Sequence, residues 1–331
     1  MSSWKDRVLG AFIGLFLGDS LGGPFEFHSS ISIGKYTGLH EFPTTTQFQF
    51  QKRKSSAIGQ VTDDSCFSIA LAGAIFKHRA PTQDQIITEY LELCNGPLQF
   101  LGRNTRTLFK GVKTISGYRS RYLKMLENEV SQSNGSLMRI MPAILLFHIY
   151  AIHDILNWAV TDTYITNPCE VNREATIIYI TLFYLIYTGQ ELTLQNIRNV
   201  YTPQQEQIIR AIDEGMSAAT RNIKGKEKGW VCHTLYCVFR AVTSVQRGQN
   251  FEECLKEILQ LGGDTDTNMA VAGAFLGAYL GKDQLLSSAR TAHNLQVVLS
   301  CDTSRGEFSM RDTNGVELYH PRSMIDMLEK L

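Results

Sequence analysis

Glycine recurs every fourth residue through the apolar opening of the chain, at Gly10, Gly14 and Gly18. Residues four apart share one face of a helix, so the spacing predicts a helix over about residues 3 to 21 with a bare strip of backbone along one side. Each glycine costs roughly 1 kcal/mol of helix propensity relative to alanine. Such a strip suits the close approach of another helix or of a ligand, and helix packing is the reading adopted for Gly10 and Gly14. Gly273 and Gly277 repeat the spacing in the apolar run that ends at Leu280. The two segments are alike, Gly10-Ala-Phe-Ile-Gly14 and Gly273-Ala-Phe-Leu-Gly277. Nothing between them recurs at a fixed period, so they are two instances of close packing and not an internal repeat. Gly22-Gly23-Pro24 ends the first helix, and Glu26 follows between Phe25 and Phe27.

Helical periodicity returns over 66–76, 84–94, parts of 104–128, the apolar stretch from Leu137 to Ile149, then 151–160, 171–188, 203–219, 230–245 and 251–261. Alternation is confined to Phe48 and Phe50, inside a Ser/Thr/Gln-rich stretch, 29–60, that reads as an irregular, lid-like connection. The expected fold is therefore a compact all-α bundle of more than four helices. No linker divides the chain, so residues 1–331 are expected to form a single domain. With 331 residues, 44% of them hydrophobic, a sizeable core is available.

Charge and cysteine narrow the function classes. Lys plus Arg and Asp plus Glu both number 32, which gives no footprint for nucleic acid or a membrane surface. The basic clusters Lys52-Arg53-Lys54 and 224–228 read as solvated loops. Seven cysteines occur without a CxxC, as expected for free buried thiols in a reducing compartment. The run from Ala11 to Gly18 is short for a membrane span and leads to no cleavage site. These features together predict a cytoplasmic, monomeric protein.

Two groups of acids carry the chemistry. Thr62-Asp63-Asp64-Ser65 and Asp264-Thr265-Asp266-Thr267 each follow glycine and open an apolar helix. Carboxylates with hydroxyls form an all-oxygen ligand set suited to Mg²⁺ or Mn²⁺. Both groups are also readable as helix caps, the first more readily than the second, since Thr and Asp favour that position. Sequence does not say whether they meet in space.

Four segments, in order, resemble the ADP-ribosylglycohydrolase family, which includes the dinitrogenase-reductase-activating glycohydrolases and the ADP-ribosylarginine and ADP-ribosylserine hydrolases. They are Gly10 to Glu26, Gly59 to Ser65, Asn134-Gly-Ser-Leu-Met138-Arg139-Ile-Met-Pro142, and Gly262-Gly-Asp264-Thr-Asp266-Thr267-Asn268 with the helix behind it. The resemblance implies an orthogonal multi-helix bundle around two divalent cations, Mg²⁺ or Mn²⁺. It implies Thr62, Asp63 and Asp64 as ligands from one side, and Asp264, Asp266 and Thr267 from the other, with Asp266 bridging. Glu26, Asp63 and Asp266 are the catalytic candidates it implies. Asp19, Phe100, Asn134, Gly135, Ser136 and Met138 would line the substrate cleft. The implied substrate is an ADP-ribosylated protein or a small ADP-ribose derivative, cleaved at an arginine N-link or a serine O-link. The alternatives are a catalytically inactive structural or ADP-ribose-binding relative, or a hydrolase of another ADP-ribose derivative.

The sequence departs from the arginine-directed pattern at Phe100, where those members carry an aspartate. Phe100 either lines the cleft, with Glu26 or Asp19 supplying the missing acid, or belongs to the core. Arg139 is read as bracing a neighbouring acid in preference to a phosphate. His28 and His40 could reach substrate, whereas His148, His153 and His233 read as structural.

Overall fold

The two glycine stripes pack against each other. A computed structural model describes residues 3–27, 57–96, 101–128, 130–217, 219, 221, 223, 228–302 and 319–331. In it the helices Trp4–Gly22 and Thr265–Leu280 run antiparallel through the centre. Gly10 meets Gly277, Gly14 meets Gly273, Gly18 meets Met269 and Gly22 meets Thr265. A methyl group on any of these four N-terminal glycines would run into the other helix's backbone. Every residue from Val8 to Gly22 is buried, and so is every residue of Thr265–Leu280 except Tyr279. Helices buried all round form the middle of a large core. The first helix spans what its spacing predicts, to within a residue at each end. Trp4–Phe25 has the length and composition of a membrane span, but 89% of its most apolar window is buried within the protein, as in a core helix.

The other helices surround this pair. Val231–Gln246 packs on Thr265–Leu280 and carries Glu206–Met216 on its other side. Asp63–His78 packs on Gln83–Asn95, and Ile152–Thr166 on Glu170–Tyr187. One continuous hydrophobic cluster runs from Val8 to Leu328. The fold is all-α. Among the described residues there is no strand, only an isolated antiparallel bridge between Ser133 and Trp230. The Phe48–Phe50 segment and most of the 29–60 connection lie outside the described residues.

The expected helix after Asn134 takes a different form. Two 3₁₀ segments, Asn134–Arg139 and Met141–Leu146, replace it. Pro142 explains the break, because its ring clashes with the preceding turn and it has no N–H to give. The final fifty residues, which carry no recognisable motif, form Lys282–Leu285, Ala289–Leu299 and Pro321–Leu328. All seven cysteines are free, six of them buried, and burial pushes the Cys232, Cys237 and Cys254 thiols up to about 12.

Candidate active site

Both acid groups stand at helix N-termini, yet neither caps its helix. Thr62 is the N-cap of Asp63–His78 and Asp264 the N-cap of Thr265–Leu280, and neither side chain bonds the first-turn amides. The Thr62 hydroxyl lies 2.8 Å from Asp19 Oδ1 and 2.9 Å from Asp64 Oδ2. Asp19 also accepts from the Thr62 amide at 3.0 Å, the Ser65 amide at 3.1 Å and the Ser65 hydroxyl at 2.5 Å. Asp19, expected in the substrate cleft, is thus fully buried beneath the acids with its oxygens occupied. It organises the turn that presents Thr62, Asp63 and Asp64.

The groups meet because the glycine helices meet. Thr265 donates its hydroxyl to the Gly22 carbonyl at 2.9 Å. Phe27, in the left-handed backbone region at φ 60°, donates its amide to the Gly263 carbonyl at 2.6 Å, and its own carbonyl accepts from Lys228 Nζ at 2.9 Å. Glu26 is thereby held beside the second group, with carboxylate oxygens of Glu26, Asp264 and Asp266 all within 4.8 Å of one another. The charges of Asp64 and Asp264 act on each other, and Thr267 lies close enough to Asp64 to ease its ionisation, so the second group stands beside the first. The Thr267 amide donates to Asp266 Oδ1 at 3.0 Å.

Crowding makes these carboxylates reluctant to ionise. Burial, aided by repulsion from Asp19 and Asp264, pushes Asp63 up to about 7, against the Gly102 amide that bonds it at 3.3 Å. Burial and the charges of Asp19, Asp63 and Asp264 hold Asp64 well above the usual carboxylate range. Asp64 Oδ1 is buried without a hydrogen-bond partner. The Thr62 hydroxyl has a single proton for two carboxylates. If Asp19 takes it, the Thr62 and Asp64 oxygens face each other as acceptors. Carboxylate and hydroxyl oxygens are the ligands that such a cation takes, and Asp64 Oδ1 is a buried oxygen with no donor to meet it. The donor set therefore fits a hard divalent cation.

A profile of the ADP-ribosylglycohydrolase family matches residues 1–300. The chain belongs to the ADP-ribosylglycohydrolase family. It is 26% identical over 288 residues to the ADP-ribosyl-[dinitrogen reductase] glycohydrolase of Rhodospirillum rubrum, covering 86% of this chain and 89% of that protein. It is 21% identical over 330 residues to the ADP-ribosylhydrolase ARH3 of Xenopus tropicalis, covering 86% and 90%. A solved structure, an ADP-ribosylglycohydrolase-related protein complex, superposes with a TM-score of 0.64 at 22% identity, over 90% of this chain and 99% of that one. That match shows the fold. As a member of the ADP-ribosylglycohydrolase family, the chain is a hydrolase of that type.

The third family segment reaches the acids through one residue. Asn134 Nδ2 donates to Asp264 Oδ2 at 2.9 Å and to the Thr234 hydroxyl at 3.1 Å. Gly135 is half-buried, and its carbonyl accepts from Arg139. Ser136 is fully buried, with its hydroxyl accepting from Asn172 at 2.9 Å. Met138 is buried, and its carbonyl accepts from Ser68 at 3.2 Å. Arg139 braces an acid, as the sequence suggests: it is wholly buried, 3.0 Å from Asp162, with its guanidinium 5.2 Å from the Tyr90 ring. His233 is structural in its surroundings, accepting from Arg221 at 3.0 Å. Phe100, His28 and His40 lie outside the described residues. Sequence reasoning missed Thr234 and Gly229, whose carbonyl accepts from the Asn134 amide at 2.9 Å and where an added Cβ would press on Asp264. Neither lies in a family segment, and only the fold brings them to the acids.

Proposed function

We propose that the chain is a divalent-cation-dependent hydrolase of the bond joining ADP-ribose to a modified side chain, an arginine N-link or a serine O-link. One observation carries this reading: two hydroxyl-acid groups 200 residues apart occupy helix N-caps without capping, and come close enough for their charges to act on each other. Two Mg²⁺ or Mn²⁺ ions would be held by Thr62, Asp63 and Asp64 on one side and by Asp264, Asp266 and Thr267 on the other. When bound they would orient ribose hydroxyls and lower the pKa of water. Glu26, beside Asp264 and Asp266, is placed to take a proton from the attacking water. As the anomeric carbon parts from the leaving nitrogen or oxygen, positive charge grows on the ribose ring, and the carboxylates face it. Gly135, the half-buried residue of the Asn134–Met138 segment, would border the proposed cleft. The substrate is an ADP-ribosylated protein or a small ADP-ribose derivative.

A substrate panel tests this. ADP-ribosyl-arginine, ADP-ribosyl-serine, O-acetyl-ADP-ribose and free nucleotides are incubated with Mg²⁺, Mn²⁺ or EDTA. Turnover of at least one side-chain conjugate, its loss in EDTA and its loss in Asp266→Ala are expected. Turnover confined to compounds without ADP-ribose, or a fully active Asp266→Ala, would overturn the reading.

A further inference from the structure

Asp264 is held by a one-way chain of hydrogen bonds that ends on its own helix. Its carboxylate can only accept, so Asn134 must present its amide NH₂ to it. The second proton of that NH₂ goes to the Thr234 hydroxyl. Thr234 therefore accepts from Asn134 and gives its single proton to Asn268 Oδ1 at 2.7 Å. Asn268 lies one turn after Asp264, and its backbone amide bonds the Asp264 carbonyl at 2.9 Å. The ring closes through three elements, the Asn134–Arg139 segment and the helices Val231–Gln246 and Thr265–Leu280. Asn134, Thr234, Asp264 and Asn268 are all buried.

Two further observations bear on this direction. A buried threonine within a helix ordinarily returns its proton to the carbonyl four residues back, as Thr163, Thr181 and Thr243 do here. Thr234 sends its proton out of the helix to Asn268. Asn268 in turn keeps Oδ1 toward Thr234 although its Nδ2 is buried without a hydrogen-bond partner. The opposite flip would leave Thr234 accepting from both asparagines, with its proton returned to its own helix and the link between Asn134 and Asn268 broken.

We propose that Thr234 is a positioning residue: through Asn134 it sets the orientation in which the Asp264 carboxylate is presented to a cation. The inference rests on the cation-binding reading above. It requires only that Thr234 keep a hydroxyl, so Thr234→Ser preserves the role and the isosteric Thr234→Val removes it.

The test is calorimetric titration of Mn²⁺ into wild type, Thr234→Val and Thr234→Ser, well below their melting temperatures. Affinity is expected to fall about tenfold in Thr234→Val and to stay within about twofold of wild type in Thr234→Ser. In the metal-free protein, the Asn134 side-chain amide protons should exchange slowly with solvent in wild type and Thr234→Ser and fast in Thr234→Val. That second measurement reads the chain of hydrogen bonds without any cation. Wild-type Mn²⁺ affinity or slow amide exchange in Thr234→Val would overturn the role of Thr234. Absence of Mn²⁺ binding by the wild type is a different result, and it would overturn the cation reading itself.

Discussion

The Thr62 hydroxyl stands between two carboxylates, 2.8 Å from Asp19 and 2.9 Å from Asp64, with one proton to give. Meanwhile the helix that Thr62 opens receives no cap from it. A threonine cap is worth about 1 kcal/mol, and a buried acid held among other acids costs more. Both are arrangements that favour a positive charge at the centre of the group over stability without it.

Asp64→Asn separates those two interests. Asp64 is held well above the usual carboxylate range by burial and by its neighbours' charges. A raised carboxyl pKa means that ionisation destabilises the fold at every pH above the unfolded value. Removing the charge should therefore raise the melting temperature in EDTA by a few degrees, on the scale of about 1–2 kcal/mol. It should also abolish the further rise that Mg²⁺ gives the wild type. Thermal melts with and without Mg²⁺ decide it, and an Asp64→Asn protein less stable than wild type in EDTA would make Asp64 a structural residue.

The glycines divide sharply by what lies over them. A Cβ on Gly14 would collide with the backbone of Gly273, which has no way to give without moving a helix. Gly14→Ala should cost several kcal/mol, beyond the ~1–3 kcal/mol of ordinary overpacking, and yield little folded protein. Gly73, inside Asp63–His78, has nothing within 4 Å of the same position. Gly73→Ala should raise stability by up to about 1 kcal/mol through helix propensity alone. Denaturant melts of the two variants give the comparison, and a well-folded Gly14→Ala would contradict the helix pairing.

Much of this architecture was legible as pattern. Helical spacing located most helices, and Gly10, Gly14, Gly273 and Gly277 announced close packing. What spacing could not show was that the two stripes are each other's partners, because that is a relation between chain ends. The same gap hid the meeting of Asp64 with Thr267, which follows from that pairing. Position alone also left Thr62 and Asp264 readable as caps, and only their side-chain directions exclude it. Asp19 looked like a cleft residue because it sits in a family segment, but Thr62 and Ser65 surround it with donors. Thr234 carried no signal, since a threonine in a buried helix looks the same whether it bonds its own carbonyl or a neighbouring asparagine.

His233 supplies a pH dependence independent of the acids. Burial and the nearby Arg221 lower it to about 4, against a smaller opposing effect of Glu214. The folded imidazole thus binds its proton less readily than the unfolded one, whose pKa is about 6.5. Stability from this group is complete above about pH 6.5 and is lost as pH falls towards about 4, by on the order of 2 kcal/mol. His233→Asn keeps an acceptor for Arg221 and does not titrate. Its denaturant stability should decline less than that of wild type between pH 6.5 and 4.5, and parallel curves would show that His233 does not contribute.

Gly229 tests how finely Asp264 is set. A Cβ there would lie 3.0 Å from Asp264 Oδ2 and 3.6 Å from Asn134 Oδ1. The backbone at this position has no positive φ, so alanine brings no strain of its own. The contact is tight enough that the carboxylate must move by a few tenths of an ångström, away from the Asn134 amide that holds it at 2.9 Å. A side-chain tip can yield where a helix backbone cannot, so the fold should survive with a melting temperature within about 2 °C of wild type, a loss of no more than about 1 kcal/mol. Ligand placement is less forgiving, because a cation with near-octahedral demands senses displacements of that size. Gly229→Ala should therefore bind Mn²⁺ several-fold more weakly and lose turnover to match. Unchanged Mn²⁺ affinity in a folded Gly229→Ala would show that the setting of the Asp264 carboxylate does not matter to the cation, and would shift the burden of that side of the site to Asp266 and Thr267.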